Sequence, residues 1–238
     1  MQLLALSSSR AAGGGYLEAA RAPISALLGT APRRIAFVPF AAVDRDYEAY
    51  AALVRAALDG LPYELDIVDH ENGRAVLAAC DTVMVGGGNT FKLLHDLYAA
   101  GLVDAVREKV AAGAPYIGWS AGANLAGASI RTTNDMPIIE PESFRAFGFL
   151  PFQINPHYIN YQPEGFHGET RDQRLSEFVL LNPGVPVIGI PEGSWLLRHG
   201  NELRFDGSAA ATRFDNAGGA VRQTTLAPGT DLGALLAR

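Results

Sequence analysis

Tyr116-Ile117-Gly118-Trp119-Ser120-Ala121-Gly122-Ala123-Asn124-Leu125-Ala126 reads as a strand that runs into a tight turn and then into a helix of small residues. Its centre, Gly118–Gly122, is a G-x-S-x-G pattern. In a strand–turn–helix setting that pattern lifts the serine hydroxyl to the carboxyl edge of a sheet. Short apolar runs at residues 3–6, 35–40, 64–68, 82–85 and 185–190 repeat the strand signal, each bounded by Gly, Pro, Asp or Ser. Between them the spacing predicts helices over residues 16–28, 46–58, 90–100 and 103–111. In the second of these, Tyr50, Leu53, Val54 and Ala57 recur at i, i+3, i+4 and i+7, one apolar stripe. In the third, Phe91, Leu94 and Tyr98 share a face and Asn89 stands ready as N-cap. Strands alternating with helices imply an α/β fold, a mostly parallel sheet sandwiched by helices.

Two segments break the rhythm. Residues 129–168 are rich in Pro, Asn, Thr and aromatics, show no period, and are too long for an inert connector. Loops of that length carry function. Beyond Ile190, runs at 195–198, 202–205, 212–215 and 220–224 are separated by turn signals and read as a small C-terminal antiparallel meander. With no repeat or linker, residues 1–238 read as a single domain. The composition excludes several classes. At 48% hydrophobic and 18% charged residues, the chain lies far from disorder. One cysteine, Cys80, cannot build a disulfide scaffold. A net charge of −6 with two lysines argues against binding nucleic acid or an anionic membrane. No apolar run approaches 18 residues and the N-terminus lacks a basic leader, so the expected compartment is the cytoplasm.

A serine nucleophile needs a base, and the base needs an orienting group. Of the five histidines, His70, His95 and His199 have polar neighbours and read as solvated or packed side chains. His157 follows Gln153-Ile154-Asn155-Pro156, where the proline fixes the chain just before the imidazole; His167 lies in a looser glycine-flanked loop. Two carboxylates qualify as orienter. Glu192 ends a buried-looking strand, and Asp135 sits in the long loop, aimed at the imidazole or at the substrate. Gly86-Gly87-Gly88-Asn89-Thr90 lacks the spacing of a phosphate loop and reads as a tight turn able to offer a second oxyanion donor. Arg171, opening a helix after Thr170, suits a two-pronged grip on a substrate carboxylate. No metal-ligand spacing and no cofactor motif is present.

These residues fall within six blocks: VGGGNTFKLL (85–94), YIGWSAGANLA (116–126), IRTTNDMPI (130–138), QINPHY (153–158), GETRDQR (168–174) and IPEGSW (190–195). In that order the chain resembles the S51 serine peptidases over nearly its whole length, least so in residues 200–238. The resemblance implies a cytoplasmic enzyme, without cofactor, that cleaves dipeptides bearing an N-terminal aspartate. It also implies a fold like that of the class I glutamine amidotransferases. By similarity Ser120 is the nucleophile, His157 the base, and Gly88 and Ala121 the oxyanion donors. Asn89, Thr170 and Arg171 line the substrate pocket, and the orienting role falls to Glu192, with Asp135 retained as an essential residue. Two other readings stay open: a cyanophycinase-like β-aspartyl hydrolase, and a non-catalytic member of the fold that binds a small anion. The expected partner is a small dipeptide, with no nucleic acid and no membrane, and the sequence is compatible with a homodimer.

Overall fold

The computed structural model describes residues 1–11, 13–165 and 167–237. Five parallel strands form the heart of a seven-stranded sheet: β1 (Gln2–Leu6), β2 (Arg33–Val38), β3 (Tyr63–Ile67), β4 (Thr82–Val85) and β5 (Tyr116–Trp119). An antiparallel hairpin, β8 (Ser194–His199) and β9 (Glu202–Gly207), closes its edge, giving the order β3-β2-β4-β5-β1-β8-β9. Alternation along the strands sends Leu3, Ala5, Val38, Val83 and Val85 to one face. There they meet α3 (Gly73–Ala79), α4 (Thr90–Ala99), α5 (Val103–Ala111) and α6 (Ala121–Leu125). Leu4, Leu6, Phe37, Met84 and Ile117 go to the other face, against α1 (Arg21–Leu28) and α2 (Tyr47–Ala57). The sheet is therefore buried on both sides, as parallel sheets require. No described helix is long and apolar enough to cross a membrane.

A second, four-stranded sheet is built from β6 (Gln153–Asn155), β7 (Val187–Gly189), β10 (Ala211–Ala217) and β11 (Ala220–Leu226), in the order β11-β10-β7-β6. One of its faces shares the main core through Ile154, Ile188 and Ala211. The other is covered by α7 (Arg171–Leu181), whose Leu175 and Val179 pack on Val187 and Phe214. The four C-terminal strands expected as one meander are thus two hairpins, one extending the main sheet and one joining the smaller sheet.

Two helix readings shift. The helix expected over residues 16–28 begins at Arg21. Pro23 has no N–H and its ring would strike the carbonyl four residues back, so it is held in the first turn. Leu17, at φ 52°, is not helical at all. Helix α3 was not anticipated; it is a seven-residue helix starting on a glycine, without a side-chain cap or a full apolar stripe.

Candidate active site

The carboxyl ends of the parallel strands gather the first half of the site. Leu6 pairs with Trp119, so β1 and β5 end level, and Ser120 N–H donates to the Leu6 carbonyl at 3.1 Å. Ser120 itself is bent to φ 53°, ψ −114°, a conformation held between strand and helix that pushes its hydroxyl outward. Gly122 makes the turn compact: a Cβ there would overlap the Val85 carbonyl oxygen. The glycine turn after β4 lies against the serine, since a Cβ on Gly87 would sit 2.8 Å from Ser120 Cβ. Tyr50 pins that turn, donating to the Gly87 carbonyl at 2.9 Å and accepting from Trp119 Nε1 at 3.2 Å. Burial, first of all, pushes the Tyr50 phenol well above its ordinary value, so the group stays a neutral hydrogen-bonding strut.

The smaller sheet supplies the second half. Strands β6 and β7 are parallel and paired Asn155 to Gly189, so His157 and Glu192 emerge from the same end, two and three residues further on. His157 Nε2 is 2.9 Å from Ser120 Oγ, and His157 Nδ1 is 2.7 Å from Glu192 Oε1. A carboxylate only accepts, so Nδ1 carries the proton and Nε2 accepts from the serine hydroxyl. The Glu192 side chain is 57% exposed, so its worth is orientation more than Coulomb energy. The buried Ser7, just past β1, joins the halves. Its hydroxyl donates to the Ile190 carbonyl and accepts from His157 N–H, both at 2.8 Å.

The remaining candidates separate. Asp135 does not touch His157. Its Oδ2 accepts from Thr90 N–H at 2.7 Å and from Thr90 Oγ1 at 2.5 Å, which docks the long loop on the start of α4. A cavity of about 250 Å³ is lined by Ser120, Asn124, Asp135, His157 and Arg171, among others. Arg171 is half-buried and its one described partner is Asn155 Oδ1, 3.4 Å from Nη1. Among the described residues no carboxylate pairs with it, and burial lowers the guanidinium pKa. Thr170 caps α7 in a reciprocal box with Gln173 and so aims Arg171 without lining the cavity itself. Asn89 likewise lies outside it: its Oδ1 caps α4 at Lys92 N–H and its Nδ2 donates to the Met136 carbonyl. Ala121 N–H opens α6, where a helix leaves amides unpaired, and Gly88 N–H has no hydrogen-bond partner among the described residues. Arg131, the other arginine near the long loop's start, donates to Asn182 Oδ1, stacks over Phe178 and is not among the residues that line the cavity. His167 is exposed.

Sequence reasoning missed Ser7 and Asn124. Ser7 had one signal, its place at the end of a strand in a parallel sheet. Asn124 had another, its spacing of one helical turn from the serine.

The chain is similar to known proteins in sequence and in fold. The family model described as peptidase family S51 matches residues 3–205. Curated relatives named Peptidase E include one from Shewanella amazonensis, 48% identical over 237 residues that cover 99% of each chain. Another, from Shewanella oneidensis, is 48% identical over 234 residues and 98% of each chain. The crystal structure of a peptidase from an acI-B1 actinobacterium covers 97% of this chain and 96% of its own, with a TM-score of 0.65 at 18% identity. With that match of family model, near-full-length identity and fold, the chain belongs to peptidase family S51.

Proposed function

We propose that the protein is a serine dipeptidase that releases aspartate from the N-terminus of dipeptides through an acyl-enzyme. The observation that carries the substrate is Arg171, a half-buried cation with no carboxylate partner among the described residues, in the cavity that Ser120 and His157 also line. A desolvated guanidinium calls for a carboxylate, and the aspartyl β-carboxylate supplies one in the cavity that Ser120 also lines. Ser120 Oγ attacks the scissile carbonyl carbon while His157 Nε2 takes its proton. The N–H groups of Gly88 and Ala121 receive the oxyanion. His157 then gives the proton to the leaving amine, and a water resolves the ester by the same route. Glu192 orients the imidazole. A cavity of about 250 Å³ lies below the roughly 300–1,000 Å³ usual for drug-sized ligands, and favours one small residue over a polymer of β-linked units. We place the enzyme in the cytoplasm, on the single buried thiol of Cys80 and its dipeptide substrate.

The test is aspartate release from Asp-Leu beside Leu-Asp, Ala-Leu and β-Asp-Leu. Turnover of Asp-Leu alone is expected, reduced about 10⁶-fold in kcat by Ser120→Ala. Saturable binding of aspartate by folded protein that hydrolyses none of the four would favour the anion-binding reading instead.

A further inference from the structure

The glycine turn after β4 is restrained peptide by peptide. Its first amide, Gly86 N–H, donates to the Val38 carbonyl, and its last, Asn89 N–H, donates to the Ala41 carbonyl, both at 3.0 Å. The unit that joins Gly87 to Gly88 has no such backbone anchor. Its N–H has no hydrogen-bond partner among the described residues, and its carbonyl has one, the Tyr50 hydroxyl at 2.9 Å. A carbonyl only accepts, so the hydroxyl donates to it. Trp119 Nε1, a donor only, gives that hydroxyl a hydrogen bond in turn at 3.2 Å. The result is one directed chain, from the Trp119 indole through the Tyr50 hydroxyl to the Gly87 carbonyl. Hydrogen bonds linked in this way polarise one another.

A trans peptide is planar, with its carbonyl and its N–H pointing in opposite directions. Tyr50 holds the Gly87 carbonyl from one side and therefore turns the Gly88 N–H to the other. The plane has little room to swing. Gly88 is at φ 136°, a Cβ on it would strike the Ala41 carbonyl, and a Cβ on Gly86 would strike the Tyr50 hydroxyl. The hydroxyl is itself held in place, because Phe37, Tyr16 and Trp119 pack edge-on to the Tyr50 ring at 5.1, 6.4 and 6.4 Å between centroids. Taking as its basis the dipeptidase reading, in which Gly88 N–H receives the oxyanion, we infer that Tyr50 is a positioning residue for the reaction: through the Gly87–Gly88 peptide it aims and polarises that donor without touching the substrate. The oxyanion exists only once the serine has added to the carbonyl, so the contribution of Tyr50 falls on kcat and not on substrate binding.

Tyr50→Phe tests this, because it keeps the ring and its aromatic contacts and removes only the hydroxyl. On Asp-Leu, kcat is expected to fall about 10- to 100-fold, within the loss of roughly 10²–10³ that deleting an oxyanion donor causes, with KM constant to about twofold. The second readout is the Gly88 amide proton, followed by NMR as the boronic acid analogue of aspartate, with boron in place of the α-carboxyl carbon, is added. Ser120 Oγ adds to the boron, its proton passes to His157, and the tetrahedral adduct puts an oxygen where the oxyanion would form. In the wild type the Gly88 and Ala121 amide protons should both move downfield. In Tyr50→Phe the Gly88 movement should shrink while that of Ala121 remains. An unchanged kcat, a loss carried by KM, or a Gly88 movement equal to that of the wild type overturns the inference. Where Tyr50→Phe does not fold, 3-fluorotyrosine introduced at position 50 alone, a stronger donor of nearly the same size, should carry the Gly88 proton further downfield in the adduct, and an unmoved proton overturns the inference. If folded wild-type protein neither cleaves Asp-Leu nor forms the adduct, the dipeptidase reading itself has failed, an outcome distinct from these.

Discussion

Ser7 is a single buried hydroxyl with two jobs, and both concern residues more than 140 positions away. It holds the backbone of His157 and the carbonyl of Ile190, on the strand extension that leads to Glu192. Ser7→Ala leaves a buried N–H without its acceptor, a loss of about 1–3 kcal/mol if the backbone does not shift to recover it. Partial relaxation would let the imidazole drift from the serine. We expect kcat to fall about tenfold or more at unchanged KM, with Tm lowered only slightly. A raised KM at unchanged kcat would place Ser7 in substrate binding instead. This is also where the legibility of the sequence divides. Ser120 announces itself through its glycines, His157 through the preceding proline, and Arg171 through the cap before it. Each of those signals is local. Ser7 and Asn124 carry no motif, because what makes them matter is a neighbour brought in by strand pairing. The choice between Glu192 and Asp135 was open for the same reason: only the parallel register of β6 and β7 puts Glu192 at the imidazole and leaves Asp135 at the head of α4.

Among the elements, α4 does the most to shape the site, since its first turn receives both Asn89 and Asp135. An ion pair buried in its middle anchors it: Lys92 and Asp96 are 5% and 1% exposed and meet at 2.7 Å. Lys92 also donates to the Phe40 carbonyl, tying the helix to the loop that follows β2. Burial by itself would raise the Asp96 carboxyl, but the hydrogen bonds from Lys92 and His95 outweigh it and hold its pKa below the ordinary value. A lowered folded pKa gives stability that is complete above the unfolded value of about 3.9 and is lost as pH falls through the folded one. Asp96→Asn should therefore cost about 3–5 kcal/mol near neutrality, where Lys92 is left buried without a counter-charge. The gap to wild type should narrow as both are taken from pH 5 to pH 2. A gap constant across that range in urea titrations would mean the pair contributes packing and not charge. The interior of this helix and its Asn89 cap were readable from spacing, as were α2 and α5. The start of α1 was misread because the apolar pattern continues through residues 16–20 while Pro23 forbids a helix there. Helix α3 was invisible because seven residues do not complete two turns of a pattern.

At the scale of the molecule, the proposed nucleophile and its proposed base stand on different sheets. Ser120 follows β5 of the large sheet, whereas His157 and Glu192 follow β6 and β7 of the small one. Neither sheet alone carries all three residues of the proposed site. What keeps them in register is the core they share, in which Ile154, Ile188 and Ala211 of the small sheet are buried with Leu3, Ala5 and Val38 of the large one. The sequence could not announce this division, because β1 pairs with β5 and β8, and β6 with β7, across long stretches of intervening chain. Apolar runs say that strands exist and leave unsaid which strand lies beside which. A shared core has a thermodynamic consequence: breaking the contact would expose apolar surface on both sheets at once, so neither should survive the loss of the other. Both tryptophans, Trp119 and Trp195, lie in strands of the large sheet, while the proposed base and its orienter follow strands of the small one. Tryptophan fluorescence, far-UV circular dichroism and aspartyl-dipeptide hydrolysis should therefore fall along one curve in guanidinium chloride, with coincident midpoints. A range of denaturant in which the tryptophans stay native while hydrolysis is already gone would show the small sheet leaving first. His157 would then be held by Ser7 and its nearest neighbours and not by the common core.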